Sequence, residues 1–353
     1  MKRLLTILLA GCLSVSLAAC GSKDEAASAP GTETETVVED SGGQTGAEEN
    51  EEEADILIPE EVSEPQVTEE PTPELTPEPT EEPTPEPTPE PTPEMQPMKH
   101  AEYPNGAAVG VDPNWEFSSF TVINSGTAVM YRAESNRRNI IVGVNAGHGT
   151  SGGSSQYVFC HPDQTPKVTG GTNAAGSVQA MAASSGMSFL DGTEERDVNL
   201  REARILKDLL LQNGYDVLMI RDGDDVQLDN VARTVICNNV ADCHIAIHWD
   251  GDGLDHDKGC FYMSVPDGIK GMYPVSEIWP EDNRLGDCLI AGLQSVGAPI
   301  FDNGSMDMDL TQTSFSSIPS VDIELGNAAS DHSDEALSLR AQGLLAGLNL
   351  FFG

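Results

Sequence analysis

The stretch Asn139-Ile-Ile-Val-Gly-Val-Asn-Ala-Gly-His148-Gly decides the fold, because its β-branched run from Asn139 to Val144 ends at a glycine. Consecutive branched apolar side chains are typical of a strand that is buried on both faces, as in a parallel sheet. The histidine that follows, His148, would then stand just beyond the end of this strand. This pattern predicts an α/β protein with polar residues at strand ends.

Outward from this strand, helical and strand patterns alternate along the chain. Helices are predicted over Leu200–Asn213, Leu228–Val240, Glu281–Val296 and Glu335–Phe352, where apolar residues recur with helical spacing. Strands are predicted over Asp216–Arg221, His244–His248, Phe261–Val265 and Ser320–Leu325. The alternation predicts a single domain over residues 139–353, with a twisted, largely parallel sheet flanked by helices on both faces.

Residues 99–138 carry a weaker pattern. The runs Phe117–Ile123 and Thr127–Arg132 flank Asn124-Ser-Gly126 and favour a β-hairpin. We interpret these residues as an N-terminal extension of the same domain.

The first 20 residues have the pattern of an export signal. Lys2 and Arg3 precede an apolar stretch, which leads through small residues to Leu-Ala-Ala-Cys20. This ending resembles a bacterial lipobox, in which Cys20 receives the lipid; an ordinary secretory peptide is the alternative. Acyl chains on Cys20 would hold the mature protein to the outer face of the cell membrane. We therefore expect an extracytoplasmic, lipid-anchored protein.

Residues 21–98 differ in composition from the rest of the chain. They contain 24 Asp or Glu against one Lys, no aromatic residue, and a repeat of Pro-Thr-Pro-Glu. Such a segment cannot bury enough apolar surface to offset its ordering entropy, so a disordered, extended linker is predicted. It would let the domain reach into the cell wall.

Residues 99–353 still carry 15 basic against 34 acidic residues, which argues against nucleic acid as a partner.

Four polar residues are candidates for a metal site: His148, Glu195, His248 and Glu324. Three of them lie on or just after predicted strands, where sites gather in α/β sheets. Two histidines and a carboxylate are a normal ligand set for a catalytic zinc, which keeps an open position for water. A further glutamate can then activate that water. The sequence therefore indicates a metal-dependent hydrolase with Zn²⁺ as cofactor.

At these four segments the chain resembles the zinc-dependent N-acetylmuramoyl-L-alanine amidases of the amidase type 3 family, and the resemblance covers nearly all of residues 139–353. It implies that His148, Glu195 and His248 ligate zinc and that Glu324 is the catalytic glutamate. Glu194 competes with Glu195 for its role, and only the match to Glu-x-Asp-x-Asn-Leu selects Glu195.

The resemblance implies hydrolysis of the amide bond between N-acetylmuramic acid and L-alanine in peptidoglycan, for cell-wall remodelling or lysis. One alternative keeps the zinc site but acts on the stem peptide as a carboxypeptidase. Another is a catalytically degenerate lipoprotein that binds peptidoglycan. The sequence identifies no protein partner.

Three departures from the family pattern stand out. Asn145 replaces an aspartate that could support a ligand histidine through its charge. Asp322 stands where the family is usually apolar. The third is the long insert of residues 150–194 between His148 and Glu195, rich in Gly, Ser and Ala. Since it starts and ends at the metal site, we expect it to form a rim or lid over the substrate groove; a floppy surface excursion is the alternative.

Overall fold

The computed structural model describes residues 103–353, which form an eight-stranded mixed sheet with helices on both faces. The predicted signal peptide with Cys20 and the linker 21–98 lie outside the described residues. None of the described helices is long and apolar enough to cross a membrane.

Ten strands occur between residues 103 and 353: β1 (Ala108–Val109), β2 (Ala128–Tyr131), β3 (Ile141–Ala146), β4 (Tyr157–Phe159), β5 (Gln179–Met181), β6 (Asp216–Met219), β7 (Cys243–Asp250), β8 (Cys260–Ser264), β9 (Ile300–Asp307) and β10 (Ser320–Asn327). The main sheet has the order β1-β2-β6-β3-β7-β10-β8-β9, and β4 pairs with β5. Four neighbouring strands at its centre, β6, β3, β7 and β10, are parallel to one another. The sheet is therefore largely parallel, as predicted.

The described helices are α1 (Glu195–Gln212), α2 (Asn230–Val240), α3 (Val275–Ser295), the single turn α4 (Thr311–Ser314) and α5 (Asp334–Phe352). Apolar side chains of α1, α3 and α5 join one face of the sheet in the largest core cluster. Side chains of α2 cover the opposite face in a second cluster. Both faces are thus buried by helices, which confirms the predicted fold class.

Alternation along β7 and β10 separates apolar from polar side chains. Ile245, Ile247 and Trp249 of β7 and Val321, Ile323 and Leu325 of β10 belong to the core cluster under α1, α3 and α5. Because successive side chains point to opposite faces, His248 and Glu324 lie on the face of α2. The parallel register places Glu324 directly beside His248.

The predicted hairpin in the N-terminal segment is wrong. Ser118–Phe120 is a turn of 3-10 helix, and β2 pairs with β1 on one side and β6 on the other. The bend at Gly126 hydrogen-bonds to Gln227 instead of closing a hairpin, and Asn124 bridges to Leu228. The segment is therefore bound to the rest of the sheet through long-range contacts that a local turn pattern does not encode.

All five cysteines in the described part of the chain are free thiols, namely Cys160, Cys237, Cys243, Cys260 and Cys288. The first four are buried. The folded domain has no disulfide between any of these five.

Candidate metal centre

His148 lies two residues beyond the end of β3, in a left-handed backbone conformation with φ of 64°. This conformation is uncommon for a residue other than glycine and is concentrated at functional sites. The ring Nδ1 lies 3.0 Å from the carbonyl oxygen of Ser184 and 3.1 Å from its hydroxyl. A proton on Nδ1 donated to that carbonyl leaves Nε2 with a free lone pair, which faces the centre.

Two glycines give the imidazoles room. A Cβ atom at Gly147 would overlap the ring of His248. A Cβ at Gly186 would stand 2.7 Å from both Glu195 Oε2 and His148 Cδ2. Such distances are shorter than van der Waals contact, so only glycine allows this close approach. The first glycine of the Gly147-His148-Gly149 motif therefore has a steric explanation.

Glu195 is the first residue of α1 and is 2 % exposed. Its Oε2 accepts a hydrogen bond from Met187 N at 2.9 Å, and its Oε1 accepts from Trp249 N at 3.1 Å and Asn199 Nδ2 at 3.2 Å. Glu194 instead pairs with Arg196 in a half-exposed ion pair. The structure thus brings Glu195, and not Glu194, to the histidines.

The ligand atoms of His148, Glu195 and His248 all lie within 4.8 Å of one another. His148 Nε2 is 2.9 Å, and His248 Nδ1 3.1 Å, from Glu195 Oε1, and the two ring nitrogens are 3.1 Å apart. Burial acts to raise the pKa of Glu195, but the two imidazoles outweigh it and hold this pKa well below its usual range. The carboxylate is therefore ionised, and the donor set suits a divalent metal ion.

Glu324 lies on β10 next to His248 and is 8 % exposed. No described residue hydrogen-bonds to its buried Oε2. Burial, together with the neighbouring carboxylate of Asp322, raises the pKa of Glu324 well above its usual range. A carboxyl group with a raised pKa accepts a proton more readily than an ordinary glutamate, which is the property that a general base needs.

Asp322 faces the ring nitrogen of His248 that points away from His148 and Glu195. Its Oδ2 lies 3.7 Å from His248 Nε2, whereas Nδ1 of the same ring faces Glu195. Burial acts to lower the pKa of His248, but the negative charges of Asp322 and, to a smaller extent, Glu195 outweigh it, so this pKa is raised. A carboxylate behind a ligand histidine orients the ring and increases its basicity.

Asn145 contributes in a different way from the expected one. Its Oδ1 accepts a hydrogen bond from Arg233 Nη1 at 2.9 Å. Arg233 in turn donates to the His148 carbonyl at 2.6 Å and to Thr150 Oγ1 at 2.8 Å. Asn145 therefore supports the backbone of His148 through a buried arginine, and a neutral acceptor is sufficient for that purpose.

A cavity of about 670 Å³ contains His148, Glu195, His248, Asp322 and Glu324 in its lining. Residues of the 150–194 insert line it as well, among them Ser154, Lys167, Asn173, Met181 and Met187. The insert includes β4 and β5, and its Val158 and Ala182 are buried against α2. The expectation that the insert borders the groove is thus confirmed, and a floppy excursion is not what the structure shows.

Two other histidines are buried away from the cluster. His244 is fully buried on β7, and burial lowers its pKa to about 3, so the ring is neutral. His161 has no sequence pattern to support a role, yet it is buried and its Nε2 lies 2.9 Å from Asp309 Oδ1. Sequence reasoning missed this pair, because its members are 148 positions apart.

Comparison with known proteins identifies a family whose model covers the residues of the candidate centre. Residues 142–343 match the model of the family Amidase_3, described as N-acetylmuramoyl-L-alanine amidase. This match spans more than half of the chain and includes all four predicted site residues. No curated protein matches the chain.

Several solved structures are similar to this chain. The N-acetylmuramyl-L-alanine amidase Ami1 from Mycobacterium smegmatis is 19 % identical, with a TM-score of 0.52 over 62 % of this chain and 99 % of its own. Ami1 from Mycobacterium abscessus is 21 % identical, with a TM-score of 0.49 over 61 % and 99 %. An N-acetylmuramoyl-L-alanine amidase from Clostridium difficile 630 is 17 % identical, with a TM-score of 0.43 over 62 % and 98 %. At these identities, the first similarity supports the α/β fold.

Proposed function

Since this chain belongs to the amidase type 3 family of N-acetylmuramoyl-L-alanine amidases, we propose that it is a zinc-dependent peptidoglycan hydrolase. The bond cleaved is the amide between the lactyl group of N-acetylmuramic acid and L-alanine of the stem peptide. The family match is the evidence for the class of enzyme, and the contacts within the candidate centre are the evidence for the residue roles proposed below.

His148, Glu195 and His248 would hold the ion, since their ligand atoms converge within 4.8 Å. Zinc with three protein ligands supplies Lewis-acid chemistry, polarising a carbonyl and lowering the pKa of water. Ser184 and the backbone amides of Met187 and Trp249 fix two of these side chains before any ion arrives. Little reorganisation is then needed on binding.

Glu324 is proposed as the proton carrier. Its unpartnered Oε2 takes a proton from the water whose oxygen attacks the amide carbon. When the carbon–nitrogen bond breaks, Glu324 returns this proton to the nitrogen of the leaving L-alanine. Glu324 is thus restored to a carboxylate, and the products are a free peptide amine and a lactyl carboxylic acid on the glycan, which keeps the second proton of the water until it ionises.

The observation that carries this proposal is the placement of Glu324 beside His248 on adjacent parallel strands, within one cavity. The test is digestion of purified peptidoglycan by the wild type, Glu324→Gln and His148→Ala, with metal content measured on each protein. We expect Glu324→Gln to retain zinc and to lose about 10²–10⁴-fold in rate. His148→Ala should lose both metal and activity.

Mass analysis of the digest separates the other readings. An amidase releases intact stem peptides from the glycan, whereas a carboxypeptidase shortens peptides that stay attached. Zinc-loaded wild-type protein that releases neither product, but binds the wall, would point to a degenerate binding lipoprotein. Either result would contradict the amidase proposal.

The proposed location is the outer face of the cell membrane, through a lipid on Cys20. It rests on the signal-like pattern of residues 1–20 and the acidic linker that follows. Cys20→Ala should release the domain from the membrane fraction without changing its activity on soluble fragments. Unchanged membrane association of this variant would rule out the anchor.

A further inference from the structure

Away from the position of the metal ion, the cavity is lined by more acidic than basic side chains. The acidic residues are Glu195, Asp250, Asp322 and Glu324. An anionic group of a substrate is repelled by these side chains and needs a cation to hold it. Which cation is available therefore decides how such a substrate is oriented.

Arg233 lines the cavity but has no donor to spare. Its Nε donates to the Leu228 carbonyl at 3.1 Å. Its Nη1 donates to Asn145 and the Ala146 carbonyl, and its Nη2 to the His148 carbonyl and Thr150. A guanidinium has five N–H groups, and these contacts use all of them. Its role is structural.

Lys167 is the other cation of the lining, and its situation differs. It is 6 % exposed, and its ammonium group donates to the backbone carbonyl of Asp309. An ammonium group has three N–H donors, so this contact leaves capacity for a ligand. Lys207, Lys258 and Lys270 each pair with an aspartate, whereas Lys167 forms an ion pair with no described carboxylate.

The position of Lys167 is held from several sides. Its backbone N–H donates to the Ser177 carbonyl at 2.9 Å, and its own carbonyl accepts from Gly176 N at 2.8 Å. The next residue, Val168, donates its N–H to Asp309 Oδ2 at 2.7 Å. These contacts fix the backbone at Lys167, and its side chain is buried against the Asp309 carbonyl, whereas the long side chain of a surface lysine samples many rotamers.

We propose that Lys167 is the carboxylate-binding subsite of this cavity and that it takes a carboxylate on the peptide side of the scissile amide. A buried ammonium with free donors is costly, and charge-assisted hydrogen bonds from a carboxylate offset that cost. The amino sugars of peptidoglycan are uncharged at their hydroxyl and acetamido groups, so the peptide is the part that supplies the anion. This inference rests on the proposed function and adds an orientation to it.

The test compares pairs of N-acetylmuramoyl peptides that differ only in one carboxylate replaced by a carboxamide, at each peptide position in turn. For one position we expect wild-type kcat/KM to favour the carboxylate by about 10- to 100-fold. Lys167→Met should remove this preference by lowering only the carboxylate value, while Lys167→Arg retains part of it. Lys270→Met, which changes a paired surface lysine, should behave as wild type.

Three outcomes would overturn the proposal. Wild-type enzyme that shows no preference at any position has no such subsite, whether or not the variants fold. A Lys167→Met protein with unchanged zinc content and melting temperature that loses equally on both peptides of a pair assigns Lys167 a structural role. If wild type cleaves none of the peptides, the amidase function itself fails, and this subsite with it.

Discussion

At the scale of single residues, His248 is held between two carboxylates. Its Nδ1 lies 3.1 Å from Glu195 Oε1 and its Nε2 3.7 Å from Asp322 Oδ2. Glu195 belongs to the three-residue cluster, whereas Asp322 stands behind the ring. Asp322 thus occupies the position from which a carboxylate orients a ligand histidine.

Changing Asp322 to asparagine should therefore weaken metal binding. The substitution keeps the shape of the side chain but removes its charge, and loss of such a partner typically lowers metal affinity about 10- to 100-fold. Competition with a chromogenic chelator measures the affinity directly. Asp255→Asn, at an exposed carboxylate, is the control. Equal affinity of wild type and Asp322→Asn would show that Asp322 does not act on the ring.

Glu202 is a second residue with an unusual environment. It is fully buried on α1, and neither of its carboxyl oxygens has a hydrogen-bond partner among the described residues. Burial raises its pKa well above the usual range, and Arg340 and Arg201 offset only part of this shift. The folded protein therefore binds the Glu202 proton more tightly than the unfolded chain.

A raised carboxyl pKa stabilises the fold below the ordinary pKa of glutamate, about 4, and this contribution is lost as the pH rises. We expect Glu202→Gln to increase the free energy of unfolding by about 1–3 kcal/mol at pH 8 and to make little difference near pH 4. Urea unfolding of both proteins across this range measures the difference. Glu335→Gln, at an exposed position of α5, is the control. A pH-independent difference would contradict the assignment.

The residue-level prediction from sequence succeeded where a polar side chain interrupts an apolar strand. His248 and Glu324 stand out in this way, and the structure places both in one cavity with His148. Ser184 and Asp309 could not be found, because their contacts depend on the path of a long insert. A main-chain carbonyl such as that of Ser184 leaves no trace in the residue type.

At the scale of elements, β7, β10, α2 and α5 were predictable from periodicity. β9 was not, because only one residue of Ile300–Asp307 is buried and the strand contains Asp, Asn, Gly and Ser in place of alternating apolar residues. The start of α3 was placed at Glu281, whereas the helix begins at Val275 and includes Pro280. A proline usually marks a helix start, and here it lies inside one.

Asp309, in the loop after β9, makes several contacts with the insert. The Asp309 carboxylate contacts the His161 ring at 2.9 Å and accepts from Val168 N at 2.7 Å. Although burial opposes it, the His161 contact, with help from Val168 and Lys167, lowers the pKa of Asp309. Asp309 is thus ionised at neutral pH and binds both ends of the segment 161–168.

Asp309→Ala should release this part of the insert while the metal centre stays intact. Limited proteolysis is then expected to cut within residues 161–176 at least tenfold faster than in the wild type. A decrease of about 1.4 kcal/mol in the free energy of local opening raises the population of the open form tenfold. Zinc content should not change. Asp208→Ala, at an exposed residue of α1, is the control. Cleavage rates equal to wild type would show that other contacts hold the insert.

At the scale of the whole molecule, the centre joins distant parts of the chain. His148 follows β3, Glu195 begins α1 on the other layer, and His248 and Glu324 come from β7 and β10. An ion bound at this centre would therefore join elements that separate on unfolding. Anything that binds only the folded state stabilises it by mass action.

Removing the metal should accordingly lower the melting temperature. At a free zinc concentration 100 times the dissociation constant the stabilisation is about 2.7 kcal/mol. For a domain of this size that corresponds to roughly 5–10 °C. Differential scanning calorimetry with and without chelator measures it, and added zinc should restore the original value. His148→Ala should show no chelator effect, and a wild type insensitive to chelator would argue against the site.

The free thiols of the domain bear on where it can fold. No covalent cross-link joins the five described cysteines, and burial raises the pKa of Cys237, Cys243 and Cys260, which keeps these sulfurs unreactive. Folding of this domain therefore requires neither an oxidising enzyme nor a disulfide isomerase. It should refold to the same state in the presence or absence of a reductant, and production in a reducing cytoplasm should yield the same folded protein as secretion.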